Sequence, residues 1–213
     1  MKDSQVIESS PFDDVPIPER QELVPQDISS DKIDEMLGLS NSKKFKDCRN
    51  SAIVCLLAFE GLKAHEIINI GWQNFYSTSD GAAFLSVEGL RSRSIALSEK
   101  TIRYLRSYRK AFDDLVTERQ LKNMKTMFVA FQGRDEANVL PTMTRHGLKF
   151  IVYEVGEKAE IQRLNTETLR HYAIKHLISR GFGAEEIMSH LGLRRIGNIA
   201  KHLHKELNKK NER

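Results

Sequence analysis

Apolar residues recur at helical spacing along most of the chain and at strand spacing in one stretch. SSDKIDEMLGL sets Ile33, Met36 and Leu37 on one helical face, with Ser30 as an N-cap and acidic residues in the first turn. Folded structure is therefore expected to start near Ser30. A second helix is expected from about Lys46 to Glu60, with Ile53, Leu56 and Leu57 on its face and Gly61 as its stop. A third begins near Ala64 and carries Ile67, Ile68 and Ile70 ahead of Trp72. The period then switches to alternation. AAFLSVEGLRSRSIALS reads as a β-hairpin, with strands at 84–88 and 92–97 and Gly89 in the turn. Two strands alone are marginal, so they must pack on helices. From Glu99 to about Leu121 the spacing is helical again, with Ile102, Leu105, Tyr108 and Leu115 on one side. A short apolar segment, MFVAF, leads into a polar loop through Pro141. Helices are expected over 142–158, 165–180, 184–191 and about 197–210. The expected class is mainly α with a small β-hairpin or sheet (α+β).

The first thirty residues break this pattern. They hold four of the five prolines (Pro11, Pro16, Pro18 and Pro25), few large apolar residues and no period. Residues 1–30 read as a disordered acidic tail and 31–213 as one folded domain. Net charge is +4 overall, yet residues 1–31 hold roughly 8 acidic and 2 basic side chains, so the remainder carries about +10. A body of that charge can neutralise phosphates. The tail either docks on it or is a solvated leader. No apolar run approaches the roughly 18–20 residues of a membrane span. MKDSQVIESS has neither a basic start nor an apolar stretch, so no signal peptide and a cytoplasmic location are expected. Cys48 and Cys55 lie seven apart in one expected helix, about 10 Å along its axis, too far for a disulfide. They read as core thiols. No metal site and no cofactor are expected.

Three stretches, in order, carry a resemblance: RNSAIVCLLAFEGLKAHEIINIGWQNF, FLSVEGLRSRSIALSEKTIRYLRSY and LNTETLRHYAIKHLISRGFGAEEIMSHLGLRRIGNIAKHLH. Together they resemble the catalytic domain of the tyrosine recombinase (phage integrase) family over about Asp47 to His204. That likeness implies a tyrosine hydroxyl attacking a DNA phosphorus to form a phosphotyrosine link. Two arginines then hold the non-bridging oxygens, a hairpin lysine protonates the leaving oxygen, and two further His, Lys or Trp positions complete the pocket. Carried over one by one, the first arginine position falls on Lys63, which keeps the charge but lacks the planar fork. The hairpin lysine falls near Glu88, with Arg91 or Arg93 close by. The histidine before the second arginine falls on Glu167, and that arginine is kept as Arg170. The later histidine falls on Leu193 and the nucleophile on His202. One role in six is intact. Such constellations act as a unit, so the resemblance implies a fold that binds DNA without cutting it.

Other readings of these residues stay open. His202 could act as a nucleophile, since histidine forms phospho-intermediates, but this reading is disfavoured; His202 with His204 as metal ligands is disfavoured because an i, i+2 pair does not share a helix face. Arg170 either seats a phosphate or ties helices together through an ion pair, for example with Glu66. AEEIMSHLGLRRIGNIAKHL also resembles a helix-turn-helix, with Arg194, Arg195, Asn198 and Lys201 on a recognition helix. Duplex DNA is the expected partner, met by Lys63, Arg91, Arg93 and Arg170 or by Arg194, Arg195 and Lys201. A third reading is a protein-interaction module that self-associates through Leu203 and Leu207 of the C-terminal helix.

Overall fold

The fold is built around one helix with no polar face. The computed structural model describes residues 27–39, 44–132, 138–195, 197 and 199. In helix α2 (Phe45–Ala58) every residue from Cys48 to Ala58 is buried: small and apolar side chains fill most of it, and the polar Arg49 and Asn50 are hydrogen-bonded inside. Helices α1 (Ser30–Leu39), α3 (Ala64–Asn69), α4 (Glu99–Glu118), α5 (Arg145–Lys158) and α6 (Thr166–Ser179) pack around it. Cys48 and Cys55 are free thiols inside α2, as their spacing implies, and burial pushes the Cys55 thiol up. Arg49, also buried, donates to Val129 O at 3.1 Å and to Asn50 Oδ1 at 3.1 Å.

Side-chain caps fix several helix starts. Ser29 Oγ accepts from Lys32 N at 3.3 Å, so the α1 cap sits one residue before the expected Ser30. Asn165 Oδ1 accepts from Thr168 N at 3.0 Å at α6, and Thr144 Oγ1 from Gly147 N at 3.0 Å at α5. Packing also begins upstream of residue 31: Ile28 is buried and Asp27 pairs with Lys175. No helix among the described residues is long and apolar enough to cross a membrane.

The expected hairpin is present as β2 (Ala83–Val87) and β3 (Arg93–Ala96), antiparallel, with Leu85 opposite Ile95 and Val87 opposite Arg93. A third strand, β1 (Phe75–Ser77), adds to β2, with Phe75 opposite Leu85. Three residues are too few for alternation to declare it. The apolar segment MFVAF and the polar loop expected after it are corrected for the same reason: β4 (Ala130–Gln132) begins within the apolar segment and β5 (Asn138–Leu140) lies in the loop, paired with Phe131 opposite Val139. Met127, Phe128 and Val129, leading into β4, are fully buried. On α4 the buried line is Thr101, Leu105, Tyr108, Phe112 and Leu115, whereas Ile102 is only half-buried. Tyr108 Oη donates to Met127 O at 2.8 Å, satisfying a phenol with no exposure to water.

Helix α7 (Ala184–Leu191) packs on α6 over a small separate core of Ile174, Leu177, Ile187, Leu191 and Ile199. The helix expected over 197–210 lies outside the described residues apart from Gly197 and Ile199. Between the two cores sits Glu60, just past α2 and 2% exposed. Its Oε1 accepts from Ser98 N (3.0 Å), Ser98 Oγ (2.8 Å) and Thr101 Oγ1 (2.6 Å), which seats a carboxylate at the start of α4. Its Oε2 lies 3.7 Å from His190 Nε2 on α7. Burial pushes the Glu60 carboxyl up, against those hydrogen bonds. Burial, with Arg93 nearby, pushes His190 down to about 4.

A buried histidine of depressed pKa makes the folded state resist protonation. The unfolded chain then binds more protons between its ordinary value of about 6.5 and the folded value. Stability from His190 is full above that ordinary value and is lost as pH falls toward about 4. Urea melts of wild-type protein and His190→Leu across this window should diverge in favour of the variant, by up to about 1.4 kcal/mol per pH unit. Parallel curves would remove His190 from the account.

Candidate functional site

The C-terminal end of α7 presents three backbone carbonyls, and three arginines reach them. Arg93 Nε donates to His190 O at 2.7 Å, Arg170 Nη2 to Leu191 O at 3.0 Å, and Arg91 Nη1 to Gly192 O at 3.3 Å. A helix end leaves such carbonyls without intrahelical partners and carries partial negative charge, so cations there both satisfy and stabilise it. Gly192 ends the helix in the left-handed conformation at φ +61°, and a Cβ there would stand 2.9 Å from Arg93 Nη1. Only glycine lets the fork approach this closely.

Arg93 is fully occupied. Nη1 meets Glu66 Oε1 at 2.9 Å and Nη2 meets Glu66 Oε2 at 3.1 Å, with both side chains under a tenth exposed. Glu66 also accepts from Lys63 N at 2.8 Å, closing the start of α3. Burial pushes the Glu66 carboxyl up, but its hydrogen bonds from Arg93 and Lys63 win and hold it below the usual carboxylate range. The ion pair weighed for Arg170 with Glu66 is thus made by Arg93 instead. Arg170 is buried in α6, and its Nη1 donates to Gly61 O. Its two terminal nitrogens link the turn between α2 and α3 to the end of α7.

Lys63 stands at the start of α3, half-buried. Burial is the main cause that holds its ammonium below the ordinary lysine value; Arg170, Arg93 and Arg91 push the same way and Glu66 opposes them. The structure therefore brings Lys63, Arg91, Arg93 and Arg170 to one place from the start of α3, the hairpin and α6. Two adjoining recesses open beside them. One, of about 250 Å³, is lined by Glu167, Arg170, His171, Ile174 and Leu193. The other, of about 300 Å³, is lined by Arg91, Ser92, Arg93, Met188, Gly192 and Leu193 among others. Leu193, just past α7, borders both, and the two recesses together make up the candidate groove. A further hollow between the start of α2 and α4 holds none of the candidate residues.

The remaining expected residues fall in different places. Glu88, at the hairpin turn, accepts from Asn74 Nδ2 at 2.9 Å. Glu167 is exposed on the rim of the first recess. Arg194 and Arg195 are exposed past the turn. His202, Lys201, Leu203 and Leu207 lie outside the described residues. Three residues of the site were not singled out by sequence reasoning. His171 follows Arg170 in the Leu-Arg-His string and lines the recess, and burial lowers its pKa. Glu60 and His190 carried no signal, since nothing in their local pattern shows that they meet.

Comparison with known proteins places this geometry. The model of the Phage integrase family matches residues 26–209. The chain is 22% identical over 204 residues to a tyrosine recombinase XerC of Staphylococcus epidermidis, covering 95% of this chain and 64% of that one. It is 25% identical over 193 residues to a tyrosine recombinase XerD of Oceanobacillus iheyensis, covering 88% and 60%. The chain thus spans somewhat under two thirds of the length of these relatives. Its fold is similar to that of XerA recombinase, with TM-score 0.68, 19% identity, and 89% of this chain and 66% of that one covered. It is also similar to XerH site-specific recombinase bound to a palindromic difH substrate in a post-cleavage complex, with TM-score 0.66, 15% identity and 88% and 52% coverage. A match running from the first described residues through the groove and past it leaves one assignment: the chain belongs to the phage integrase family.

Proposed function

We propose that this chain is a DNA-binding member of the family that does not cut DNA, acting as a regulator or as a derivative of a mobile element. One observation carries the reading. The recess where the family resemblance would seat the attacked phosphate is rimmed by the Glu167 carboxylate and the apolar Leu193. A carboxylate there repels a phosphate, and leucine offers no hydrogen bond to a developing negative charge. The nucleophile position is His202. Binding is a separate matter. Lys63, Arg91 and Arg170 still concentrate positive charge around the groove, and burial strengthens their field. The XerH recombinase, similar in fold, is bound to a difH substrate, which supports DNA as the partner.

The helix-turn-helix reading keeps one specific support: Gly192 makes a left-handed turn after α7, and Arg194 and Arg195 are exposed just beyond it. The two surfaces can be separated. Arg91→Ala should weaken binding to duplex DNA and flatten the salt dependence by about one unit per lost phosphate contact. Arg194→Ala with Arg195→Ala should do less. Gel shifts across a salt series measure both, with circular dichroism as the control for folding. A flattened slope only in the Arg194 and Arg195 pair assigns DNA to the turn after α7.

Catalysis is tested by trapping. On a nicked suicide duplex the wild-type protein should form no denaturant-stable adduct. An adduct would sink the inactive reading, and its mapping to His202 would make histidine the nucleophile.

A further inference from the structure

The chain enters the described fold beside the first recess. Asp27 pairs with Lys175 on α6, and Ile28 after it is buried in the main core. Lys175 stands one helical turn past His171, which lines that recess, so the two side chains are neighbours on the helix surface. Burial lowers the His171 pKa and the charge of Lys175 pushes the same way, as it does only at close range. Residues 19–24 precede this anchor by three to eight positions. At up to about 3.3 Å per residue, an extended chain carries Val24 about 10 Å and Glu19 about 26 Å from Asp27. That is enough to run along a recess of about 250 Å³.

What lines the recess decides what fits it. Ile174 and Leu193 give it apolar walls, Glu167 an acid and Arg170 a cation. Arg194 and Arg195, the two residues after Leu193, are exposed. A phosphate gains from the cations alone: Glu167 repels it and the apolar walls offer it no hydrogen bond. The string ERQELV over 19–24 carries a counterpart for every part, with Leu23 and Val24 apolar, Arg20 a cation and Glu19 and Glu22 acids. The longer stretch 1–26 holds six acids against two basic residues, on a chain of net charge +4. Asp27 on Lys175 and Asp34 on Lys100 show acids of this end of the chain meeting cations of the body.

We propose that residues 19–24 seat in the recess beside α6, and that duplex DNA must displace them to enter the groove. Leu23 and Val24 lie on Ile174 and Leu193, Arg20 faces Glu167, and the two glutamates face Arg194 and Arg195. The seating stands apart from the DNA-binding reading; only the displacement rests on it.

The test is a disulfide trap in the full chain. Cys48 and Cys55 are buried and stay out of it. Val24→Cys is paired either with His171→Cys or with Ser179→Cys, an exposed position one turn on the other side of Lys175. Both partners are equally far from the anchor along α6, and Ser179 is the more accessible. A solvated segment should therefore join them at similar rates under oxidised glutathione. A seated segment should join His171→Cys about tenfold faster, through its higher effective concentration there. Leu23→Ser added to both pairs should bring the rates together, because the apolar contact is lost. Should circular dichroism show His171→Cys to be misfolded, Leu193→Cys takes its place. Saturating duplex DNA should slow the recess pair and leave the Ser179 pair unchanged. Equal rates, or faster joining at Ser179, overturn the seating and leave the DNA-binding reading intact. Disulfides formed only between two chains make a second copy the occupant and overturn the seating as well. A duplex that binds in gel shifts without slowing the trap overturns the displacement. A protein that keeps the recess preference and binds no duplex overturns the DNA-binding reading alone.

Discussion

The end of helix α7 holds the site together. Its last carbonyls, at His190, Leu191 and Gly192, are each met by an arginine from elsewhere in the fold. Without those donors three acceptors at a helix terminus would face each other's partial charge. The α6–α7 core of Ile174, Leu177, Ile187, Leu191 and Ile199 holds α7 from the other side. The arginines add polar ties between α7 and the main body. Through Arg93 the hairpin is fixed to α3 by Glu66, and through Arg170 the turn at Gly61 is fixed to α7. One helix end thus sets the relative positions of the hairpin, the start of α3 and the groove.

That use of arginine shapes what is left for a ligand. Arg93 has no free face, since its nitrogens are taken up by Glu66 and His190 O. Arg170 is buried with its two terminal nitrogens on carbonyls. Each contributes field more than direct contact. Lys63 is different: it is half-buried among like charges with its ammonium below the ordinary value. A cation held in that state is stabilised by any anion that arrives. Glu167 at the far rim limits where such an anion can sit.

Much of the fold was legible because long segments keep one period. Ile33, Met36 and Leu37 on α1, and the start and end of α7, fall where the spacing puts them. The three-residue strands β1, β4 and β5 did not show, because a run that short has no period to detect. The convergence of Lys63, Arg91 and Arg170 followed from the family resemblance and from no local pattern. The partners of each arginine were not legible. Glu66 could serve Arg93 or Arg170 by sequence, and only packing distances choose between them. The backbone carbonyls of α7 have no signature in the sequence, since every residue carries one.

The central claim is that an anion of the duplex seats beside Lys63. The direct measurement is the pKa of that side chain, read from its ε-carbon by NMR titration with and without duplex DNA. In the free protein it should lie below the ordinary lysine value, chiefly through burial. With DNA bound it should rise, because a phosphate stabilises the ammonium. A Lys63 pKa that stays unchanged while DNA is demonstrably bound would place the DNA elsewhere and contradict the account.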